Sequence, residues 1–252
     1  MILARLSSAI RTQNWFAVAL EFVIVIAGVV IGFQISAWNE ARSERSEEVG
    51  YLLALTDDVR LSRASLERLN GLLASQQSAL ETLYDVHLGQ SDPDPEEMAG
   101  LMQRGLFFLS ALRVNETTFD TLVGSGRLNL IGDPELMAAL QALDSAYEVT
   151  RITIDNEYQV TYRFSDPLLI EFVDMGPIFL PQQNRGSIPW LQPGEPLTMD
   201  ASLLTDRRFG NAVLYRAYFS SQVKDHVEGL IADLQVIDRR VHERLDELGY
   251  AP

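Results

Sequence analysis

Residues 27–48 read AGVVIGFQISAWNEARSERSEE, and this stretch indicates how the N-terminal part of the chain is organised. An apolar segment passes through Trp38 and becomes a run of charges, with no proline and no turn between the two parts. Because nothing at this change of character breaks a helix, the stretch predicts one continuous helix. Such a helix would begin in an apolar environment and end in water.

The apolar part of this helix is long enough to cross a membrane. Residues 16–33, FAVALEFVIVIAGVVIGF, contain one charged side chain, Glu21, and a helix needs about 18–20 apolar residues to span the hydrocarbon core. At 1.5 Å per residue, Trp15 and Trp38 would lie ~34 Å apart, which places one aromatic residue at each membrane interface. The sequence therefore predicts a transmembrane helix over residues 15–38.

The alternative for this segment is a signal peptide that is cleaved from the mature protein. Such peptides have an apolar region of about 7–15 residues, followed by a small-x-small cleavage site. The region here is longer and contains an acid, and Ile35-Ser36-Ala37 is a poor cleavage site. We therefore interpret the segment as an uncleaved anchor.

The orientation depends on the basic residues that flank the span, because cytoplasmic flanks carry an excess of lysine and arginine. The short N-terminal tail, residues 1–14, holds Arg5 and Arg11, while Arg42 and Arg45 follow the span, so the arginine count ties. The second pair is interleaved with glutamates, whereas the first pair is undiluted. We expect the N-terminus in the cytoplasm and the helical domain in the periplasm, with the span in a bacterial inner membrane.

One face of the span carries small residues that suit helix packing in lipid. Gly28 and Gly32 form a GxxxG pattern, which lets two helix backbones approach closely, and Ser36 extends the spacing. Glu21 lies on the same face, where a carboxyl group suggests a hydrogen bond or a paired charge. The alternatives are that GxxxG occurs by chance and that Glu21 only reaches the headgroups. We expect the span to associate with itself or with other transmembrane helices.

After the span, the chain changes from a charged stalk into an amphipathic helix. Residues 39–50 place arginine and glutamate at spacings that allow pairs within the helix. From Leu52 onward, apolar residues recur at intervals of three and four, which is typical of a helix that buries one stripe. The stripe consists of Leu52, Leu55, Val59, Ser62, Leu66, Leu69, Leu73, Gln76, Leu80 and Leu83.

Two aspartate–proline pairs mark the starts of further helices. Asp94-Pro95 and Asp133-Pro134 each place a capping aspartate before a proline at the first helical position, with acids after it. The first of these helices would carry an apolar face over residues 98–112. The second would run to about Phe164, where Asp166-Pro167 interrupts it.

The remaining elements complete a helical domain. A short helix at residues 116–123 stops at the GSG of residues 124–126, and the final helix runs over about residues 203–248. Four substantial amphipathic helices with no convincing strand predict an all-α fold. We expect an N-terminal transmembrane helix that continues into an antiparallel four-helix-type bundle with long helices over residues 51–252.

A proline- and glycine-rich loop interrupts this domain at residues 175–200, MGPIFLPQQNRGSIPWLQPGEPLTMD. Its apolar side chains, Phe179, Leu180 and Trp190 among them, exceed what a free linker needs. The loop is therefore the candidate contact with a protein partner or with the bilayer surface. The alternative is that these side chains cap one end of the bundle.

Composition excludes several functional classes. The chain has 20 basic and 35 acidic side chains, which give a formal net charge of -15. Because nucleic-acid phosphates repel an acidic protein, nucleic acid is not an expected partner. The absence of cysteine removes disulfides, cysteine nucleophiles and iron–sulfur clusters. Membrane lipids and other transmembrane helices, from this chain or from a membrane complex, are the expected partners.

No motif for catalysis or metal binding is present. His87, His226 and His242 lack the paired E-x-x-H spacing of a di-iron bundle and the H-E-x-x-H spacing of a zinc protease, and we expect them to face solvent. Nucleophile motifs such as G-x-S-x-G are also absent. The sequence predicts a protein that is not an enzyme and that holds no metal and no cofactor.

The span EFVIVIAGVVIGFQISAWNE, residues 21–40, followed by YLLALTDDV, resembles a bacterial family of uncharacterised single-span membrane proteins. The shared features are Glu21, Gln34 and the exit Trp38-Asn39-Glu40, and TFDTLVGSGRLNLIGDPEL, residues 118–136, resembles a second family segment. The resemblance implies the single-span topology and supplies no activity. Members usually carry more basic residues before the span than the two arginines of this chain.

These patterns predict a non-enzymatic, membrane-anchored helical bundle that acts through protein–protein contacts. It would serve as an accessory or structural subunit of a membrane complex. The alternative is an extracytoplasmic ligand-sensing bundle that relays a signal through the transmembrane stalk.

Overall fold

The computed structural model describes residues 15–179 and 197–250. Within these residues all regular structure is helical, apart from an isolated antiparallel bridge between Val173 and Met199. The all-α class predicted from the sequence is confirmed.

The helices of the described residues differ greatly in length, and three of them exceed 25 residues. They are α1 (Trp15–His87), α2 (Pro95–Met102), α3 (Thr117–Gly124), α4 (Pro134–Val160), α5 (Asp166–Phe172), α6 (Gly176–Phe179), α7 (Ser202–Thr205) and α8 (Arg207–Glu247). Two π-helical turns, Gln103–Phe107 and Thr161–Ser165, directly follow α2 and α4, and a 3-10 turn covers Leu128–Leu130.

The described residues form two compact units that divide after Tyr51. In the first unit, α1 supplies one helix near the N-terminus that is long and apolar enough to cross a membrane. Every side chain over residues 19–47 is exposed. No described residue of this unit covers the apolar part of the helix.

The second unit contains the core, and the predicted stripe of α1 forms one of its walls. All ten stripe residues from Leu52 to Leu83 are buried, including the two polar ones, Ser62 and Gln76. Full burial of a leucine side chain contributes about 1.5–3 kcal/mol, so this stripe alone supplies a large apolar contribution to folding. The stripe prediction is confirmed.

The direction of α8 against α1 follows from contacts near both ends. His87, the last residue of α1, donates from Nδ1 to the carbonyl of Leu204 at 2.7 Å, just before α8 begins. Arg63, earlier in α1, lies 3.8 Å from Asp238, late in α8. Within the second unit these two helices therefore run antiparallel.

Helix α4 also runs antiparallel to α8. Asp133, which precedes α4, lies 3.9 Å from Arg240 near the end of α8. Glu157, near the end of α4, pairs at 2.8 Å with Arg216 in the first half of α8. Three long helical segments, joined by shorter ones, thus form the bundle of the second unit.

The aspartate–proline helix starts are confirmed. Asp94 Oδ1 accepts a hydrogen bond from the amide of Glu97 at 2.9 Å, and Asp133 Oδ1 accepts from the amides of Glu135 and Leu136. These bonds satisfy amide groups that the first turn of a helix leaves without a partner.

The second predicted helix is shorter than its apolar pattern indicates. Helix α2 ends at Met102, a π turn follows to Phe107, and Phe108 is already extended with φ -69° and ψ 125°. The carbonyls of Gly105 and Phe108 accept hydrogen bonds from the side chain of Gln76 in α1. Because these tertiary bonds replace bonds of a continued helix, the prediction that helix extends to residue 112 is wrong.

The predicted interruption at Asp166-Pro167 is also wrong. Helix α4 passes through the π turn at Thr161–Ser165 directly into α5, and Pro167 lies in the first turn of α5. Proline is tolerated there because it lacks an N–H that the first turn does not need. The chain stays helical until Phe172.

Candidate functional site

The predicted packing residues of the span lie on an uncovered surface. Glu21 and Ser36 are exposed, and no heavy atom beyond the helix backbone would lie within 4 Å of a Cβ placed on Gly28 or Gly32. The spacing of the glycines puts them one helical turn apart on one face. This face is open to a second helix or to lipid.

The end of the span carries an aromatic–basic pair. The guanidinium carbon of Arg42 lies 5.7 Å from the ring centroid of Trp38, within the range of a cation–π contact. Trp38 is exposed, and Trp15 is the first residue of α1. An amphipathic indole with a cation beside it has the chemistry of a membrane–water interface.

The structure describes the two ends of the proline-rich loop. Ile178 in α6 and Leu197 are both buried in the hydrophobic core of the second unit. Backbone hydrogen bonds join the two flanks of the loop, since the amide of Asp174 donates to the carbonyl of Thr198 and the amide of Asp200 donates to the carbonyl of Phe172. Both ends of the loop are therefore anchored in the core.

The apolar loop residues that the sequence offers either as partner contacts or as a cap on the bundle are not tested by the described part of the chain. Leu180 and Trp190 lie outside the described residues, and Phe179 is described only as the last residue of α6. Their role stays a prediction.

The histidines do not form a metal site in the described part of the chain, where no group of three or more candidate ligands occurs. His87 is half-buried between the rings of Tyr84 and Phe209, at centroid distances of 5.9 and 6.3 Å. The prediction that it faces solvent is wrong, because the first turn of α8 packs over it. His226 and His242 are half-buried as well.

A polar cluster that the sequence reasoning missed lies inside the second unit. Arg216 of α8 and Glu157 of α4 are 1% and 0% exposed, and Nη1 of Arg216 lies 2.8 Å from Oε1 of Glu157. The same nitrogen donates to Oγ1 of Thr161 at 2.9 Å. Burial of two charges is costly unless they are paired and hydrogen-bonded. The pairing meets this condition in part, because Glu157 Oε2 and Arg216 Nε have no partner within the protein.

The cluster also fixes the irregular segment that follows α2. Nη2 of Arg216 donates to the carbonyl of Phe108, which also accepts from Nε2 of Gln76. The hydroxyl of Tyr158 donates to the carbonyl of Ser110. Side chains from α1, α4 and α8 thus converge on the backbone of residues 105–110. We call the set of Gln76, Ser110, Glu157, Thr161, Ser165, Arg216 and Ser220 the buried polar cluster.

The electrostatics of the cluster follow from its burial. Desolvation lowers the pKa of Arg216, and the neighbouring Glu157 charge raises it again. Arginine has such a high intrinsic pKa that it stays charged in proteins. Burial also raises the pKa of the Asp166 carboxyl, which the charge of Arg216 partly offsets. The cluster therefore holds an ion pair.

A sequence signal for this cluster exists. Arg216 and Ser220 lie at three- and four-residue intervals between Val213 and Val223, on the apolar stripe of α8, and all four are buried. A charged residue on an apolar stripe indicates a buried partner on a neighbouring helix.

A second group of polar side chains lies between α1 and α3. The carboxylate of Asp58 accepts from Nδ2 of Asn115 at 2.7 Å and from the amide of Thr118 at 2.8 Å. Beside it is a cavity of about 30 Å³ that Tyr147 of α4 also lines. A volume of this size holds roughly two water molecules.

Among the titratable groups of this site, Tyr147 has the pKa that departs most from its ordinary value. Burial raises the pKa of Tyr147, and a hydrogen bond with Ser62 opposes the shift. The phenol therefore stays protonated and neutral at physiological pH.

No family model matches this chain. No curated protein and no solved structure matches it either. The resemblance of the span and its exit to a single-span family therefore stays a prediction, and the function has to be inferred from the residues themselves.

Proposed function

We propose that the chain is a non-enzymatic, membrane-anchored helical bundle that acts through protein–protein contacts as an accessory or structural subunit of a membrane complex. Its transmembrane helix covers residues 15–38, and the helical domain lies on the periplasmic side of a bacterial inner membrane.

The observation that carries the proposal is the contrast between the two units. Residues 19–37 of α1 are apolar apart from Glu21, Gln34 and Ser36, and they are exposed on every side, whereas the second unit buries its apolar stripe and its charged pair. A helix that is apolar all round is stable in lipid. The exposed aromatic–basic pair of Trp38 and Arg42 supports the placement of an interface at the end of the span.

Co-purification tests the subunit function. The full chain carries a C-terminal tag, is extracted with a mild detergent, and its stoichiometric partners are identified by mass spectrometry. We expect at least one membrane protein at fixed stoichiometry, and we expect it to be lost when the span is replaced by an unrelated transmembrane helix. Recovery of the chain alone under several mild detergents would contradict the proposal.

Helix association in the membrane is tested at the glycines of the span. Gly28→Ile with Gly32→Ile places bulk on the face that we expect to pack, while Val30→Ile adds one methylene to the opposite face as a control. We expect weaker cross-linking to the neighbouring helix in the first variant and none of that loss in the control. Unchanged cross-linking in both the glycine variant and the control would contradict the prediction that this face packs against another helix.

Orientation is tested with a single cysteine, since the chain has none of its own. Glu67→Cys lies at an exposed position of α1. In intact spheroplasts, we expect a membrane-impermeant maleimide to label it. Labelling only after the cells are opened would indicate the opposite orientation, with the helical domain in the cytoplasm.

The ligand-sensing alternative makes a different prediction. It requires a small molecule to bind the second unit and to raise its melting temperature. The enclosed cavity beside Tyr147, at about 30 Å³, is well below the roughly 300 Å³ of an ordinary small-molecule pocket. A larger depression of about 330 Å³, lined by Asp94, Glu96, Glu97, Gly100 and Arg104, is open to the surface. A reproducible stabilisation by one metabolite in a thermal-shift screen would favour the sensor over the subunit.

A further inference from the structure

Unpartnered polar atoms are concentrated in the buried polar cluster. Seven buried side-chain nitrogen and oxygen atoms of the described residues have no hydrogen-bond partner within the protein, and six belong to cluster members. They are Gln76 Oε1, Ser110 Oγ, Glu157 Oε2, Ser165 Oγ, Arg216 Nε and Ser220 Oγ. Buried polar atoms in folded proteins nearly always have a partner, so this concentration calls for a ligand.

The residues that carry these atoms are connected to the ion pair through the sequence or through hydrogen bonds. Ser220 lies four residues after Arg216 on α8, on the same helix face. Ser165 lies four residues after Thr161, whose hydroxyl accepts a hydrogen bond from Arg216. Ser110 is tied to the cluster through the bond from Tyr158 to its carbonyl. Gln76 is tied to it through the carbonyl of Phe108, which Arg216 also contacts. Three of the unpartnered atoms, Gln76 Oε1, Glu157 Oε2 and Arg216 Nε, thus belong to side chains of one connected network, and the three serines lie on the backbone segments that adjoin it.

The chemistry of these atoms selects the kind of ligand. Glu157 Oε2 and Gln76 Oε1 only accept hydrogen bonds, Arg216 Nε only donates, and the three serine hydroxyls do both. The charges of Arg216 and Glu157 compensate each other, so the cluster offers no excess charge to an anion or a cation. A small neutral molecule that both donates and accepts fits this set, and water is such a molecule.

We propose that the buried polar cluster is an internal hydration site, in which ordered water molecules complete the hydrogen bonds of the ion pair and link it to the serine hydroxyls. The waters belong to the contact that joins α4, α8 and residues 105–110. The two π turns lie directly at this contact, at Gln103–Phe107 and Thr161–Ser165. Turns of this kind occur frequently at functional sites.

Nuclear magnetic resonance of the full chain in detergent micelles tests the site directly. The Nε–H of Arg216, identified by its loss in Arg216→Lys, should show a dipolar cross-peak to water of the sign that long-lived bound water gives. Absence of that cross-peak would overturn the proposal, because Nε would then have no water within contact distance.

A thermal comparison gives a second, independent result. If the Ser220 hydroxyl binds water, Ser220→Ala removes a hydrogen bond and should lower the melting temperature by about 2–4 °C. If the hydroxyl is dry, its removal relieves an unpaired buried group, and the melting temperature stays the same or rises. The matched control is Ser221→Ala, the next residue, which is exposed and should show only the small rise that the better helix propensity of alanine gives. A melting temperature of Ser220→Ala at or above the parent value would contradict the hydration site.

Discussion

The guanidinium of Arg216 and the carboxylate of Glu157 pair at 2.8 Å with both side chains almost fully buried, although 59 residues separate them in the sequence. The pair joins α8 to α4 and, through the carbonyl of Phe108, to the irregular segment after α2. Each partner compensates the charge that the other brings into the core. The contribution of the ion pair to the free energy of unfolding is therefore best measured by removing one partner and then both.

Removal of either charge alone should be strongly destabilising. We expect Arg216→Met and Glu157→Leu each to lower the free energy of unfolding by about 3–5 kcal/mol, because each leaves the other charge buried without compensation. The double variant should recover most of that loss, since apolar residues can replace a buried ion pair at little cost. Chemical denaturation of the full chain in detergent measures all three. A double variant as unstable as the sum of the singles would refute the coupling.

Gly210 should not tolerate a side chain. A Cβ at this position would lie 2.6 Å from Cδ2 of His87, far inside van der Waals contact. We expect Gly210→Ala to cost about 1–3 kcal/mol, as overpacking of a core does.

The matched control for Gly210 is Gly229→Ala in the same helix, where a Cβ meets open space. This substitution should stabilise the protein by about 0.5–1 kcal/mol, because alanine is the better helix former. Circular dichroism during thermal unfolding compares the two. Equal effects at both positions would show that His87 does not pack over Gly210.

Asp58 should hold the start of α3 in place. Its carboxylate accepts hydrogen bonds from Asn115 and from the amide of Thr118. We expect Asp58→Ala to cost about 1–3 kcal/mol, because two donors then lose their partner. Asp57→Ala, its exposed neighbour, should change stability by less than about 0.5 kcal/mol. Hydrogen exchange at Thr118 should quicken in the first variant only; slow exchange in both would rule out this role.

Asp206 should make the stability of the folded protein depend on pH under acidic conditions. The side-chain hydrogen bond from Arg208, followed by the bond from the amide of Arg208, lowers the pKa of Asp206 below its usual 3.8. Because the pKa is lower in the folded protein, the stabilisation is complete above the unfolded value and is lost as pH falls through the folded value.

The variant that isolates this effect is Asp206→Asn, which keeps the capping oxygen and removes the charge. We expect the parent protein to be more stable than the variant above about pH 4 and the difference to disappear under stronger acid. Melting temperatures across this range measure it. Parallel curves for the two proteins would exclude a titrating Asp206.

Features that depend on local spacing could be predicted from the sequence. The apolar length of residues 16–33, the stripe that begins at Leu52 and the capping aspartates Asp94 and Asp133 each show within a few turns of helix. The helix starts at Pro95 and Pro134 agree with the structure.

Features that depend on tertiary partners could not be predicted in this way. The early end of α2 results from bonds that Gln76 of another helix makes to the carbonyls of Gly105 and Phe108. The continuation through Pro167 depends on a π turn with no simple local signature. Arg216 and Glu157 each interrupt an apolar stripe, but only the fold pairs them.

Cysteine labelling can show whether residues 16–33 lie in a membrane, as we propose. Val25 and Glu67 both have side chains more than half exposed in the structure, so they differ only in their predicted surroundings. The cysteine-free chain allows Val25→Cys and Glu67→Cys to be labelled one at a time. In membrane fragments open on both sides, a polar maleimide should label Glu67→Cys readily and Val25→Cys only after denaturation. Equal labelling of both before denaturation would contradict the membrane anchor.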